Sequence, residues 1–297
     1  MITDHVTRGP AAPDPRRILV AEDNGINQKL ILRQLALLGF DADLAVDGYE
    51  ALACWQRGHY ALLLCDLRMP RMDGCELAVA IRIAEQAGLR AGAPRTTIIA
   101  LTASTWGEQA DKCREAGMDG YLTKPLQLGD LNALLQVWLP EWTDNPPARG
   151  TAAAASNASF ATDAGNRAPV DVRVLEALVG SDPAINRSLQ RQFQLSAAEI
   201  GARLGRACAG RDSLRASEQA HKLGSGARAV GALPLGALCA QMEVAGNNDD
   251  PDALACLWVM FEKELAAVNR FFDAVEPAQD EGPIVDNSTA GSSGITA

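Results

Sequence analysis

The chain has 297 residues, 47% hydrophobic and 22% charged, an ordinary balance for a folded polypeptide of about two domains. Its formal net charge of -10, with no basic arm or recognition helix to offset it, argues against nucleic acid as a partner. No apolar run is long enough to cross a bilayer, and residues 1–17 lack the apolar core of a secretory signal, so direct membrane insertion is not expected.

Residues 1–15 are polar and proline-rich and read as a disordered tail. From Ile18 onward, short apolar runs at 18–21, 42–46, 60–65, 97–102 and 120–123 alternate with amphipathic segments at 27–38, 49–57, 75–85, 107–116 and 128–139. Strands alternating with helices imply a parallel sheet covered on both faces. Residues 16–140 are therefore expected to form a doubly wound α/β domain with a five-stranded parallel sheet. Residues 141–169 are rich in Pro, Ala, Ser, Thr, Asn and Gly, the composition of a flexible linker.

Beyond the linker only helical patterns occur. Val174, Leu175 and Leu178 mark a short helix, and Ser181 and Asp182, before Pro183, are N-cap candidates for the next. Leu189, Phe193, Leu195, Ile200 and Leu204 stripe that second helix. Gly210, Gly231 and residues 247–251 mark breaks. Leu254, Leu257, Trp258, Phe261, Leu265, Val268 and Phe271 stripe the last helix. Residues 170–276 are expected to form an all-α up-and-down helical bundle, and residues 277–297 a disordered tail. The 7 cysteines form no CxxC pair and lie mostly in apolar stretches, which fits free thiols in a reducing cytoplasm. His59 reads as a surface residue and Trp55 as packing.

Ligands of open α/β sheets bind beyond the carboxyl ends of the strands. The first strand ends in Glu22 and Asp23, the third in Asp66 and the fourth in Thr102; Lys124 follows the fifth. Three carboxylates at one point repel each other unless a cation joins them, and Mg2+ suits such a set because it takes oxygen ligands and bridges to phosphate. A carboxylate can act as a nucleophile toward phosphorus, and a metal, an ammonium and a hydroxyl supply the charge neutralisation that phosphoryl transfer requires.

The runs EDN at 22–24, DLRMPRMDG at 66–74, LTA at 101–103 and YLTKP at 121–125 resemble, in order and spacing, the signatures of a response-regulator receiver domain. The resemblance implies Asp66 as phospho-acceptor. It implies a Mg2+ site with Asp23 and Asp66 as direct ligands, Glu22 acting through water and the backbone carbonyl of Arg68 completing the set. Thr102 and Lys124 would bind the phosphoryl oxygens, and Tyr121 stands at the family's switch-aromatic position.

The stretch SEQAHKLGSGARAVGAL, 217–233, contains His221. Leu223, Ala227 and Val230 can form the buried stripe of its helix, which leaves His221 off the stripe and facing solvent. Gly224 and Ser225 cover the same face as His221. A glycine inside a helix costs about 1 kcal/mol relative to alanine; here it would leave a bare patch where a partner's backbone comes close to the imidazole. The segment, with LCAQME downstream, resembles the histidine phosphotransfer domain of bacterial phosphorelays, which implies His221 as its phosphorylated residue. The family often carries lysine three residues after the histidine. Gly224 stands there, and Arg228, two turns from His221, is the substitute cation. Arg203, Arg206, Arg211, Arg215, Lys222 and Arg228 surround this helix and are candidates for docking an acidic receiver rim.

No P-loop and no glycine-box run of a histidine kinase is present. The expected role is a phosphoryl carrier: a sensor histidine kinase upstream loads Asp66, His221 takes the group, and a downstream receiver accepts it. A phosphorylation-switched docking module is the alternative. An aspartate-nucleophile phosphohydrolase fits less well, because Arg68 stands where such enzymes need a second aspartate.

Overall fold

Ile18–Ala21 (β1), Ala42–Ala45 (β2), Leu62–Asp66 (β3), Thr97–Thr102 (β4) and Gly120–Thr123 (β5) pair in parallel as one sheet of order β2-β1-β3-β4-β5. The computed structural model describes residues 17–89, 94–103, 110–140 and 168–275. The expected tails, and the expected linker as far as residue 167, lie outside those residues. Gly25–Leu37 (α1), Gly48–Arg57 (α2), Gly74–Gln86 (α3), Ala110–Glu115 (α4) and Leu128–Trp138 (α5) cover the sheet. Strand order reverses between β1 and β3, so a crevice opens beyond their carboxyl ends.

Alternation along the strands sends side chains to two cores. Leu19, Ala21, Leu63, Cys65, Ile98 and Ala100 pack with Trp55, Leu77 and Ile81 on one face. Ile18, Val20, Leu62, Leu64, Ile99 and Leu101 pack with Ile31, Leu35, Leu131 and Leu135 on the other. Trp55 is fully buried, its indole N–H donating to Thr96 Oγ1 at 2.8 Å, and His59 is exposed. Polar residues in the crevice loops start the helices: Asn24 caps α1, Asp47 caps α2, and Asp73 forms a reciprocal capping box with Glu76 on α3. Each such cap stabilises a helix start by about 1 kcal/mol. Gly74 is required because a Cβ there would run into the Asp66 carbonyl.

The second domain comprises Val172–Val179 (α6), Pro183–Ala209 (α7), Ser213–Ala229 (α8), Leu233–Asn247 (α9) and Pro251–Val275 (α10). The connections 210–212, 230–232 and 248–250 are short enough to fold each helix back against the one before it. Asp182 caps α7, with Pro183 in its first turn. At the α8–α9 turn Gly231 has φ +81°, and a Cβ would meet the Asp171 carbonyl. Leu189, Phe193, Ala197, Ile200 and Leu204 form the buried face of α7. Leu195 is off that face and 66% exposed; the spacing of three and four runs through Ala197 instead. On α10 the buried face ends in Phe272, with Phe271 only partly covered.

Helix α1 belongs to both cores. Ile31 and Leu35 face the sheet, while Ile26 and Leu30 lie in the apolar core of the bundle beside Val174, Leu178 and Phe193. Gln34, fully buried, donates from Nε2 to the carbonyls of Leu126 at 2.7 Å and Leu178 at 3.0 Å. The two domains are thus packed against each other through apolar contact. Among the described residues no helix is long and apolar enough to cross a membrane.

Candidate functional site

Glu22 and Asp66 are buried and Asp23 partly so; each offers a carboxylate oxygen, all within 4.8 Å of one another. Lys124 lies between them, with Nζ 2.5 Å from Glu22 Oε2 and 2.7 Å from Asp66 Oδ2. Its backbone N–H donates to the Thr102 carbonyl at 2.7 Å, which ties the ends of β4 and β5 together. Glu22 Oε1 accepts from the Asn24 N–H at 3.2 Å and from Asn27 Nδ2 at 3.0 Å. Asp66 Oδ1 accepts from the Arg68 N–H at 3.1 Å. Burial pushes the Glu22 carboxyl up to about 7, with the Asp66 charge adding to the shift and Lys124 opposing it. Burial works against the Lys124 charge, but the Asp66 and Glu22 carboxylates outweigh it and hold its pKa above the ordinary lysine range. Thr102 is buried at the end of β4, and Tyr121 on β5 is partly buried against the α2–α3 core.

Facing this crevice is α8. The His221 imidazole is 14% exposed, with Nδ1 3.0 Å from Glu243 Oε2 on α9. Burial pushes the Glu243 carboxyl up, but the His221 hydrogen bond and the charges of His221, Arg68 and Arg228 outweigh it and hold the pKa below the usual glutamate value. Glu243 is therefore a carboxylate at neutral pH. Being acceptor-only, it pairs with a proton on Nδ1, the tautomer in which Nε2 carries the lone pair. A cavity of about 230 Å³ lies between the domains, lined by Asp66, Arg68, Thr102, His221, Arg228 and Glu243, among others.

Comparisons with known proteins agree with this division. Residues 18–136 match the family model of the response regulator receiver domain, and residues 188–271 match that of the Hpt domain. The chain carries a response regulator receiver domain followed by an Hpt domain. The virulence sensor protein BvgS of Bordetella pertussis is 32% identical over 73% of this chain. The sensor histidine kinase RcsC of Escherichia coli is 36% identical over 42%. The chain spans only 17% and 12% of those two relatives' lengths, and 7% of the hybrid signal transduction protein dokA of Dictyostelium discoideum, 40% identical over 41% of this chain. The receiver domain of the sensor histidine kinase PA1611 of Pseudomonas aeruginosa, described with magnesium in its cleft, is 36% identical over 42% of this chain and 98% of its own, with a TM-score of 0.38. The domain pair supports a place in two-component phosphorelay signal transduction.

Three expectations about the Hpt face are corrected. His221 does not face open solvent: its side chain is 14% exposed, held by Glu243 and set in the wall of the cavity that it shares with Asp66. Gly224 is not a bare surface patch: it is buried, and a Cβ there would lie 2.8 Å from Cys239 Cβ, so its role is to let α8 approach α9. Of the six basic residues around α8, only Lys222 forms an ion pair with the receiver among the described residues, at 2.8 Å from Asp23 Oδ2. Arg203, Arg211 and Arg215 pair with Glu199, Asp252 and Asp212 inside the bundle. Ser225 does meet the receiver, its Oγ 2.8 Å from Asn27 Nδ2. Arg228 lies over Gly224, where a Cβ would be 3.4 Å from its Nη1.

Sequence reading singled out neither Glu243 nor the contact pair Asn24 and Asn27. Asn24 Nδ2 donates to the Lys222 carbonyl at 2.7 Å. Signals for both existed. His221 and Glu243 are equally distant in sequence from Ala232, so a tight α8–α9 hairpin sets them opposite each other. Asn24 and Asn27 stand three residues apart at the start of α1 and so share one face of it, and both are buried there against α8.

Proposed function

We propose that a sensor histidine kinase loads a phosphoryl group onto Asp66, that His221 of the same chain takes it, and that a downstream receiver accepts it from His221. The observation that carries this reading is the common cavity: Asp66 and His221 are two of its walls. The His221 Nε2 lone pair attacks the phosphorus of the aspartyl phosphate. The N–P bond forms as the P–O bond to Asp66 breaks, and the bonding pair returns to Asp66 as a carboxylate. The imidazole proton stays on Nδ1, where the Glu243 carboxylate balances the positive charge of the ring. Lys124 and Thr102 border the phosphoryl position on the receiver side. Arg228 supplies the cation that a lysine at position 224 would otherwise bring.

The hard oxygen donors Glu22, Asp23 and Asp66 suit Mg2+. Lys222 engages one Asp23 oxygen and leaves the other for the ion, and the Arg68 carbonyl adds a neutral donor. When bound, Mg2+ would neutralise charge on the transferring phosphoryl group. The receiver's own residues position that group: Lys124 bridges the carboxylates, and the Arg68 N–H orients Asp66.

The test uses the full chain with Mg2+ and labelled acetyl phosphate, beside Asp66→Ala and His221→Gln. An aspartyl phosphate is base-labile and a phosphohistidine acid-labile. The expected result is acid-labile label in wild type and in neither variant. Base-labile label alone in wild type, and no acid-labile label, would remove the relay within the chain.

A further inference from the structure

Arg68 reaches both reacting groups. Its backbone N–H donates to Asp66 Oδ1 at 3.1 Å, and its guanidinium Nη1 lies 2.7 Å from Glu243 Oε1 on the Hpt domain. The second oxygen of Glu243 holds His221 Nδ1 at 3.0 Å. One carboxylate therefore joins the receiver's Arg68 to the acceptor imidazole, and Arg68 is anchored on the donor aspartate. Arg68 is 43% exposed and Glu243 18%. An ion pair that open adds little affinity by itself. Its effect is geometric: Glu243 has three rotatable bonds up to its carboxyl group, and holding one oxygen restricts where the other can lie.

We propose that Arg68 is a positioning and specificity-determining residue, whose side chain clamps Glu243 so that docking of this chain's own receiver and orientation of the His221 imidazole become one event. Docking sets Glu243, Glu243 holds the Nδ1 proton, and Nε2 is left toward the cavity that Asp66 shares. A receiver with no cation at the position of Arg68 leaves Glu243 unclamped and is a poorer partner for this Hpt domain. The inference rests on the relay reading above and adds a selectivity element to it.

The experiment follows single-turnover transfer in the full chain. The receiver is loaded with labelled acetyl phosphate and Mg2+, excess donor is removed, and conversion of base-labile to acid-labile label is timed per loaded Asp66, so that loading differences drop out. Arg68→Ala is expected to slow conversion about tenfold, the scale of a lost hydrogen bond to a charged group. Arg68→Lys keeps a cation and is expected to recover most of the rate. In a Glu243→Ala background, Arg68→Ala is expected to add less than about a further twofold, because coupled residues do not add. Nitrogen NMR of the full chain is expected to show a protonated His221 Nδ1 that weakens in both Arg68→Ala and Glu243→Ala. Wild-type rates in Arg68→Ala, or full additivity with Glu243→Ala, would overturn the role of Arg68 and leave the relay standing. Wild type without any acid-labile label would overturn the relay within the chain and this inference with it.

Discussion

The receiver crevice and the Hpt face hold the two phospho-acceptor candidates in different ways. In the receiver the backbone does the placing. Glu22, Asp23, Asp66, Thr102 and Lys124 sit at the ends of adjacent strands, and hydrogen bonding along the sheet fixes where those ends fall. In the Hpt domain side chains do the placing. His221 is held by Glu243 from another helix, and the pair is covered by Arg68 from another domain. A site built from strand ends tolerates changes elsewhere in the molecule. A site built between packed helices and a docked domain depends on each contact.

The largest expected effect strikes the contact between the domains. Leu30 belongs to the receiver but is buried in the bundle core. Leu30→Ala should weaken docking by about 2–5 kcal/mol, the range for a buried leucine truncation. Small-angle scattering should show the full chain expanding, while acetyl phosphate still loads Asp66. An unchanged radius would mean that the apolar contact of Leu30 is not what holds the domains together, which would weaken the contrast.

Next is the missing family lysine. Gly224→Lys brings the usual residue back, yet its Cβ would meet Cys239. It is expected to destabilise the bundle by about 1–3 kcal/mol, the cost of overpacking, read by chemical denaturation, and to slow transfer rather than speed it. A faster and equally stable variant would show that the approach of α8 to α9 is looser than described.

The receiver site can be sharpened through its buried acid. With Glu22 at about 7, its proton competes with a metal ion below that value. Mg2+ affinity should rise about tenfold between about pH 6 and about pH 8, measured by calorimetry. Glu22→Gln should bind more weakly and flatten that dependence.

The smallest effect concerns Glu243, whose pKa is lowered from 4.5. A depressed carboxyl contributes stability that is present above its unfolded value and lost as pH falls through the folded one. Acidification below about pH 4.5 should therefore loosen the Hpt site, and Glu243→Gln should reduce the slope of stability against pH in that window. An unaltered slope would mean that the Arg68 and His221 contacts do not depend on the Glu243 charge.

Much of the receiver was legible because strand alternation and the end-of-strand residues are local signals. All five expected strands are present, and Glu22, Asp23, Asp66, Thr102 and Lys124 converge. The bundle's helices were legible from apolar spacing and from Asp182–Pro183, with Leu195 misplaced because one residue off a stripe of three and four turns a side chain to solvent. The placement of His221 was not legible. Its surroundings come from Glu243 on α9 and from receiver residues across the cavity, which no pattern within α8 encodes.

The sequence alone determined two domains, a parallel sheet with an acidic crevice, and a lone histidine on a helix of a bundle, because periodicity, capping and strand-end chemistry act over short distances along the chain. Only the tertiary structure decided that α1 serves two cores, that Gly224 packs α8 onto α9, and that Arg68, Glu243 and His221 form one chain of contacts facing Asp66. The first and third depend on which surfaces meet far apart in the sequence, and the second on how closely α8 packs on α9; those choices are made by the fit of whole surfaces rather than by any local pattern.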